Sequence, residues 1–268
     1  MCVVQVPDTP QQWLDVASTF GVKWNFPACI GGLDGKHVAI KPPGSSGSLY
    51  YNYKRFHSIV LMALVDANYR FLFVDVGSYG RVADGGVFNN CTLAKRLENN
   101  SLGIPPSTKL PGVGSVPFVI VADDAFAMKN YLLKPYSHRG LTKPQRIFNY
   151  RLSRARRVVE NAFGILSQRF RIFSRAIELH PSKVETATMA ACCLHNFLLR
   201  NKESARCYTD DITVNEDAPV CNHSTFKPMH KQGSNHTSRI ASDIRDRFCA
   251  YFNSAAGSVP WQDERCML

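Results

Sequence analysis

The sequence predicts an α/β fold in which a mixed sheet is flanked by helices. Three strand-like segments come first, followed by a helix, a fourth strand, a short fifth strand and then further helices. This order of elements is typical of helices packed on a mixed sheet. The fourth strand, Pro117 to Ala122, is apolar without alternation, which indicates a central strand buried on both faces.

The elements follow from the spacing of their apolar residues: repeats of three or four positions for helices, and alternation or a short continuous apolar run for strands. Gly31 and Gly32 are predicted to break the chain before the first strand, and the glycines and prolines of 99–116 predict a loop. The predicted strands cover 37–41, 57–65, 70–76, 117–122 and 131–135, and the predicted helices cover 10–25, 85–97, 142 or 144 to 171, 183–200 and 240–252.

The composition divides the chain into a helical lead-in, a main α/β domain, a polar linker and a C-terminal helix with its tail. Their predicted limits are 1–26, 27–200, 201–238 and 239–268. The linker is rich in Asn, Ser, Thr, Asp and His, and this composition predicts poor order. The C-terminal helix is predicted to dock through Ile240, Ile244, Phe248 and Tyr251.

Charge and cysteine usage narrow the class of protein. No stretch is long and apolar enough to span a bilayer, and the first residues lack a secretory pattern. Nine cysteines without a CxxC pair predict reduced thiols in the cytosol or nucleus. The net charge of +11 favours a polyanionic partner such as nucleic acid, although a basic soluble protein without such a partner has a similar composition.

Three carboxylates are placed where they can hold metal. Asp34 lies at the entrance of an apolar strand, Asp123 at the exit of another, and Glu160 on a long basic helix beside the buried position Val159. Hard oxygen ligands suit Mg²⁺ or Mn²⁺, and two such ions can activate water for attack on a phosphodiester. Asp34 and Asp123 can share the ions if their strands are neighbours.

Each acid also has a structural interpretation. Asp before Gly is common in turns, which applies to Asp34, and Glu160 can pair with Arg156 four residues earlier. For Asp123, the structural alternative is a cap or a turn. The neighbouring Asp124 is a competing ligand, and the spacing also leaves three further acids open as candidates, namely Asp66, Asp75 and Asp84.

Two basic segments are candidates for binding phosphates. The long helix carries an excess of arginines, although a core-facing helix with a solvated basic side is an alternative. Residues 50–57 interleave aromatic and basic side chains, which suits a nucleic-acid strand, with edge packing as the alternative. The predicted contacts are Lys54, Arg55, Arg151, Arg154, Arg156 and Arg157.

Two groups of cysteines and histidines are weak candidates for zinc sites. Cys192, Cys193 and His195 lie on an apolar helix, where buried thiols and a hydrogen-bonded core histidine are favoured over zinc. The tail group has a spacing that matches no standard zinc module. It consists of Cys207, Cys221, His223, His230 and His236.

At these residues the chain resembles the PIF/Harbinger-type transposase nucleases, which are DDE superfamily endonucleases. The resemblance covers about residues 13–200 in family order. It rests on WNFPACIGGLDGKHVAIKPP, SGSLYYNYKRFHSIVLMALVDANYRFLFVDVGSYGRVADGGVFNN, FVIVADDAFAMKNYLLKPY, FNYRLSRARRVVENAFGILSQRFRIF and LHNFL.

The resemblance implies an RNase H-like fold with a five-stranded mixed sheet and helices on both sides. It implies a nuclease that depends on Mg²⁺ or Mn²⁺ and whose Asp, Asp and Glu are Asp34, Asp123 and Glu160. It further implies DNA as substrate, a separate Myb/SANT-like DNA-binding partner and localisation in the nucleus, with the cytoplasm as a second compartment. Family members usually carry a helix-turn-helix-like region before the nuclease domain, and we expect 1–26 to be the remnant of such a region.

The sequence therefore predicts a divalent-metal-dependent endonuclease that hydrolyses DNA phosphodiester bonds. The main alternative is a domesticated, non-catalytic DNA- or chromatin-binding protein that keeps the nuclease fold. A third interpretation is an RNA-directed nuclease, because the same site chemistry cuts either polymer.

Overall fold

The fold is built around a mixed sheet, seen in a computed structural model that describes residues 4–137, 139–209, 227–228 and 238–266. The strands are β1 (Cys29–Ala39), β2 (Ser58–Val65), β3 (Phe71–Tyr79), β4 (Thr108–Leu110), β5 (Gly114–Val116), β6 (Val119–Val121), β7 (Leu132–Leu133) and β8 (Lys227–Pro228). The helices are α1 (Pro10–Trp24), α2 (Asp84–Asn90), α3 (Thr92–Glu98), α4 (Lys143–Arg169), α5 (Pro181–Leu198), α6 (Lys202–Thr209), α7 (Arg239–Phe252) and α8 (Gln262–Cys266), with a 3₁₀ turn at Arg171–Ser174.

The main sheet confirms the predicted mixed topology. Its strand order is β3-β2-β1-β6-β7, and β8 pairs with β1 outside this path. Strands β2 and β3 are antiparallel, whereas β6 is parallel both to β1 and to β7. A separate hairpin joins β4 and β5. Within the described residues, the α/β architecture is therefore the one expected of five strands flanked by helices.

The central strand β1 is longer than predicted. The expectation that Gly31 and Gly32 break the chain is wrong, because both lie inside β1, opposite Ile120 and Val121 of β6. All eleven residues of β1 are buried. In such a strand the neighbouring backbones supply the hydrogen bonds, so the low intrinsic strand preference of glycine is overridden by its position in the sheet.

Other corrections concern the connections. The helix predicted over 85–97 is divided at Cys91, whose backbone is extended, into α2 and α3. The segment predicted as loop, 99–116, contains the β4–β5 hairpin. The predicted polar linker lies mostly outside the described residues, but its first part forms α6.

The chain forms two compact units that alternate along the sequence. Unit 1 comprises Met1–Val6, Leu33–Lys95 and Val158–His230, and unit 2 comprises Pro7–Gly32, Arg96–Arg157 and Lys231–Leu268. The boundaries fall inside β1 and α4, so both elements contribute to both units. The predicted domain limits remain a prediction.

In unit 1, two adjacent side chains attach α5 to the end of the β2–β3 hairpin. Asn196 accepts a hydrogen bond from the Phe71 amide at 2.8 Å and donates one to the Phe71 carbonyl at 2.8 Å. His195 Nε2 lies 2.8 Å from the Tyr69 carbonyl, and its Nδ1 lies 3.0 Å from the Tyr208 hydroxyl. Because a carbonyl can only accept, Nε2 carries the proton and Nδ1 accepts from Tyr208.

The buried His195 should make unit 1 sensitive to acid. Burial lowers its pKa from 6.5 to about 4, so protonation favours the unfolded chain. This contribution to stability is complete above about pH 6.5 and is lost as the pH falls towards 4, with a total on the order of 3 kcal/mol. We expect His195→Gln to flatten the fall in unfolding free energy between pH 7 and pH 4, measured by urea unfolding.

The control for this measurement is His180→Gln, which changes an exposed histidine whose Nδ1 lies 2.9 Å from Ser182 Oγ. Both variants retain His37, so the titration of that residue cancels in the comparison. If unfolding free energy depends on pH in the same way in the wild type and in His195→Gln, the acid sensitivity assigned to His195 is wrong.

In unit 2, the first and last long helices each bury an apolar face. Helix α1 begins at the Thr9 cap with Pro10 in its first turn, and it buries Trp13, whose indole donates to the Leu102 carbonyl at 2.8 Å. Helix α7 begins one residue before the predicted range, and two of the four predicted docking residues differ, because Ile240 is exposed and Tyr251 is only half-buried. The helix is instead buried through Ala241, Ile244, Phe248, Cys249 and Phe252.

Candidate active site

Asp34 lies in the middle of β1 rather than at its entrance, so the turn interpretation of this residue does not hold. Only 4% of Asp34 is exposed. Its carboxylate forms an ion pair with Lys36, whose Nζ lies 3.5 Å from Oδ2. The two residues share a face of the strand because side chains alternate along it. A buried carboxylate in a central strand is therefore held together with a buried cation.

Glu160 lies on the same side of unit 1 as this ion pair. The Lys36 ammonium lies 5.7 Å from the centre of the Phe163 ring, which places the ion pair under α4. Glu160 precedes Phe163 by three positions, and residues three apart share a face of a helix. Glu160 is half-buried. The fold of unit 1 thus brings two of the three predicted acids to one side of the sheet.

Asp123 belongs to unit 2 and follows β6 directly, as predicted. Its Oδ1 accepts a hydrogen bond from the Ala125 amide at 2.9 Å, which closes a short turn. It is half-buried, as is Asp124. Both carboxylates favour the charged form of the nearby Lys134, although burial dominates and lowers the pKa of this lysine. Asp123 therefore has a turn-forming role through its Oδ1 atom.

The predicted acids have the oxygen donors that a divalent ion prefers, but the described residues do not form a complete cluster of metal ligands. Within the part of the chain that the structure describes, no group of three or more His, Cys, Asp or Glu side chains could hold a metal ion. The three predicted acids supply carboxylate oxygens, which Mg²⁺ and Mn²⁺ prefer. Lysines stand near two of them, Lys36 in unit 1 and Lys134 in unit 2.

The other acidic candidates have different surroundings. Asp66 caps the β2–β3 turn by accepting from the amides of Asn68 and Arg70, at 2.7 and 2.9 Å. Asp75 faces Met62 across the hairpin, and its pKa is raised by burial. The side chain of Asp84 lies outside the described residues. Asp66 is thus accounted for by local structure.

The predicted arginine contacts differ in their exposure. Arg151 is 2% exposed, and its guanidinium donates to Gln262 Oε1 at 2.9 Å and to the backbone carbonyls of Gly257 and Asn25. It is therefore part of the packing of unit 2 and not available to a phosphate in this structure. The remaining three, Arg154, Arg156 and Arg157, are half-buried.

The aromatic and basic segment of residues 50–57 is organised by a buried polar network. Asn52 accepts from the amides of Lys54 and Phe56 and donates to Ser58 Oγ at 2.8 Å. Ser58 Oγ in turn lies 2.9 Å from His37 Nδ1. Gly80 permits this packing, because a Cβ at that position would lie 2.2 Å from Ser58 Oγ. The network fixes a turn that carries the half-buried Lys54 and the exposed Arg55.

His37 connects this turn to the strand that carries Asp34. It is 1% exposed, and its Nε2 has no hydrogen-bond partner among the described residues. Burial, reinforced by Lys54 and Lys36, lowers its pKa to about 4, so the ring is neutral at pH 7. Lys36, Asn52 and Ser58 were not predicted from the sequence. Lys36 could have been found from its i, i+2 spacing to Asp34, whereas the partners of Asn52 depend on the turn geometry.

The favoured interpretation of the apolar-helix cysteines is confirmed for Cys192 and His195, whereas Cys193 is half-buried. Both ring nitrogens of His195 are hydrogen-bonded to protein groups, and Cys192 is buried with a raised pKa. Neither residue is arranged as a zinc ligand. The tail group of cysteines and histidines lies outside the described residues, apart from the backbone of Cys207.

A mixed α/β sheet with a buried aspartate in its central strand is consistent with an RNase H-like nuclease fold of the DDE type. The sequence profile described as DDE superfamily endonuclease matches residues 33–196, a span that contains all three predicted acids. This match covers more than half of the chain, and the protein belongs to that family.

Curated relatives agree with this assignment. The chain is 27% identical over 255 residues to "Protein ALP1-like" of Arabidopsis thaliana, covering 92% of this chain and 60% of the relative. It is 28% identical over 179 residues to "Putative nuclease HARBI1" of Rattus norvegicus and 27% identical to that of Homo sapiens, each covering 66% of this chain and 47% of the relative. The chain thus spans only about half to three fifths of these relatives. No solved structure gives a significant match.

Proposed function

We propose that the chain is a divalent-metal-dependent endonuclease that hydrolyses DNA phosphodiester bonds. Asp34 and Asp123 are assigned as ligands of both ions and Glu160 as the residue that completes one coordination shell. When bound, such ions activate the attacking water and offset the charge that develops on the phosphoryl group. The residues of the chain position the ions, and the nearby basic groups bind the DNA backbone.

The observation that carries this proposal is the burial of Asp34, on the same side of unit 1 as Glu160. Only 4% of Asp34 is exposed, and a buried carboxylate requires a nearby cation, a place that Lys36 takes in this structure. The condition that the aspartate strands be neighbours is supported by the parallel pairing of β1 with β6. Family membership gives independent support, because DDE superfamily endonucleases generally use divalent metals.

The substrate, partner and compartment are further proposals. We propose DNA as the polymer because the chain carries a net charge of +11 and belongs to a DDE endonuclease family. A Myb/SANT-like DNA-binding partner and nuclear localisation are proposed from the resemblance alone. No helix among the described residues has the length and hydropathy to cross a bilayer.

The proposal is tested by incubating the purified chain with end-labelled duplex DNA and with RNA of the same sequence. Cleavage of DNA in Mn²⁺ that stops on addition of EDTA is the expected result. Glu160→Gln should remove this activity while the protein still binds DNA. Cleavage of RNA alone would select the RNA-directed nuclease, and activity that persists in EDTA would contradict the proposal.

A second function is favoured by two observations. The described residues contain no assembled group of three metal ligands, and the Asp34 carboxylate is paired with Lys36. This arrangement suits a domesticated DNA- or chromatin-binding protein that keeps the nuclease fold. This function would be selected if the protein binds DNA without Mn²⁺ and does not cleave it, and if Glu160→Gln binds DNA with the same affinity.

Arg55 provides a test of the proposed DNA contact that does not depend on cleavage. It is exposed and has a φ of 66°, in the left-handed region where non-glycine residues are disfavoured. Backbone strain of this kind is concentrated at functional positions. We expect Arg55→Gly to leave unfolding free energy within about 1 kcal/mol of the wild type while weakening DNA binding.

The salt dependence of DNA binding identifies the type of contact. Loss of one phosphate contact should make the slope of log K against log salt shallower by about 0.9. The control is Arg175→Gly, which removes another exposed arginine from unit 1 outside the predicted set. A slope that is identical in Arg55→Gly and the wild type would contradict a phosphate contact at Arg55.

A further inference from the structure

The ion pair between Asp34 and Lys36 differs from the surface ion pairs of the protein in its burial. The side chains of Lys36 and Asp34 are 11% and 6% exposed, with 3.5 Å between Nζ and Oδ2. Lys41 and Glu178, in the same unit, have the same 3.5 Å separation, but their side chains are 68% and 70% exposed. Water screens the second pair far more than the first, so only the buried pair should interact strongly.

The two charges of the buried pair depend on each other. A carboxylate or an ammonium that is buried without a partner is strongly disfavoured. The Lys36 ammonium has a second favourable contact, because it lies 5.7 Å from the centre of the Phe163 ring. The Lys36 ammonium is therefore stabilised by two groups, the Asp34 carboxylate and the Phe163 ring of α4.

A divalent ion on Asp34 would have to approach this ammonium. Two cations on the same carboxylate repel each other, and the repulsion is large where water is excluded. Lysine has a flexible four-carbon stem, so its ammonium can leave the carboxylate while its backbone stays in β1. The divalent ion and the Lys36 ammonium thus compete for the Asp34 carboxylate.

We propose that Lys36 is the resident counter-cation of Asp34 and that a divalent ion must displace it in order to bind. This inference rests on the proposed metal-dependent function. Lys36 stabilises the protein without metal and lowers the affinity of the Asp34 site for Mg²⁺ or Mn²⁺. It acts on the metal through Asp34, and it is accordingly a positioning residue and not a catalytic one.

The test is isothermal titration of Mn²⁺ into the wild type and Lys36→Met, with thermal unfolding of each protein in EDTA and in Mn²⁺. Removing a repulsive charge of this kind should tighten Mn²⁺ binding about tenfold or more. In EDTA the variant should unfold at a lower temperature than the wild type, because Asp34 has lost its partner. Its gain in unfolding temperature on adding Mn²⁺ should be larger.

Lys41→Met is the matched control, since it removes a lysine from an exposed pair of the same length. It should change neither the Mn²⁺ affinity nor the unfolding temperature measurably. If Lys36→Met does not fold, Lys36→Gln serves instead, because its amide can donate to Asp34 without a charge.

The outcomes separate this inference from the proposed function. If the wild type binds Mn²⁺ as tightly as the Lys36 variants, or more tightly, the role of Lys36 is overturned but the metal site stands. Absence of Mn²⁺ binding in every protein, including the wild type, overturns the metal-dependent function and the competition together. Tighter binding in both lysine variants, Lys36→Met and Lys41→Met, would overturn the specific role of the buried pair.

Discussion

Asp123→Asn is expected to lower metal-dependent DNA cleavage by about a hundred- to a thousandfold, the usual range for loss of one group that stabilises transition-state charge. Asparagine keeps the Oδ1 acceptor, so the 2.9 Å hydrogen bond from the Ala125 amide should persist. It loses the negative charge that makes a carboxylate a strong ligand for Mg²⁺ or Mn²⁺. Because the hydrogen bond of the turn is kept, the unfolding free energy should stay within about 1 kcal/mol of the wild type. Single-turnover cleavage and urea unfolding measure the two effects.

Asp124→Asn is the matched control for this substitution. Asp124 is the adjacent residue, is also half-buried, and is the competing ligand that the sequence leaves open. If Asp123 holds the ions, Asp124→Asn should leave most of the cleavage activity. A loss of activity in Asp124→Asn together with normal activity in Asp123→Asn would transfer the ligand role to Asp124. Retained activity in both variants would contradict a metal site at this turn.

The position of Asp123 could be predicted from sequence because a continuous apolar strand before it leaves little choice of structure. The strand β6 and the following turn match the expectation. The position of Asp34 inside β1 could not be predicted in this way, since Gly31 and Gly32 have a low strand preference on their own. Their strand conformation depends on the pairing of β1 with β6, which is distant in sequence.

The role of Lys36 shows a similar limit. Alternation along a strand places Lys36 on the same face as Asp34, so the pair was visible in principle. The contact with Phe163, however, depends on how α4 packs within unit 1. The arginines of α4 show the same limit. Their number predicted a phosphate-binding face, but charge alone does not show which of them are buried. Arg151 follows Phe148 by three positions and precedes Ala155 by four, which places it on the buried face.

Replacing Arg151 by methionine is expected to lower the unfolding free energy of unit 2 by about 3–5 kcal/mol, as for other substitutions that leave buried polar groups without partners. The guanidinium lies 4.5 Å over the Phe252 ring and reaches the end of α1, through the Asn25 carbonyl, and the C-terminal residues Gly257 and Gln262. Burial lowers its pKa to about 10, so it stays charged at pH 7. Methionine fills similar space but cannot donate to any of these acceptors.

Two further variants complete the comparison: the first separates the hydrogen bonds of Arg151 from its charge, and the second is a control at a neighbouring arginine. Arg151→Lys keeps the charge but loses the planar arrangement of donors, so it should also be destabilised. Arg154→Met removes a half-buried guanidinium that lies 4.4 Å over the Trp261 ring, and we expect it to cost only about 1 kcal/mol. Urea unfolding of the four proteins provides the comparison. If Arg151→Met unfolds like the wild type but binds DNA weakly, the guanidinium contacts phosphate and the packing role assigned to it is wrong.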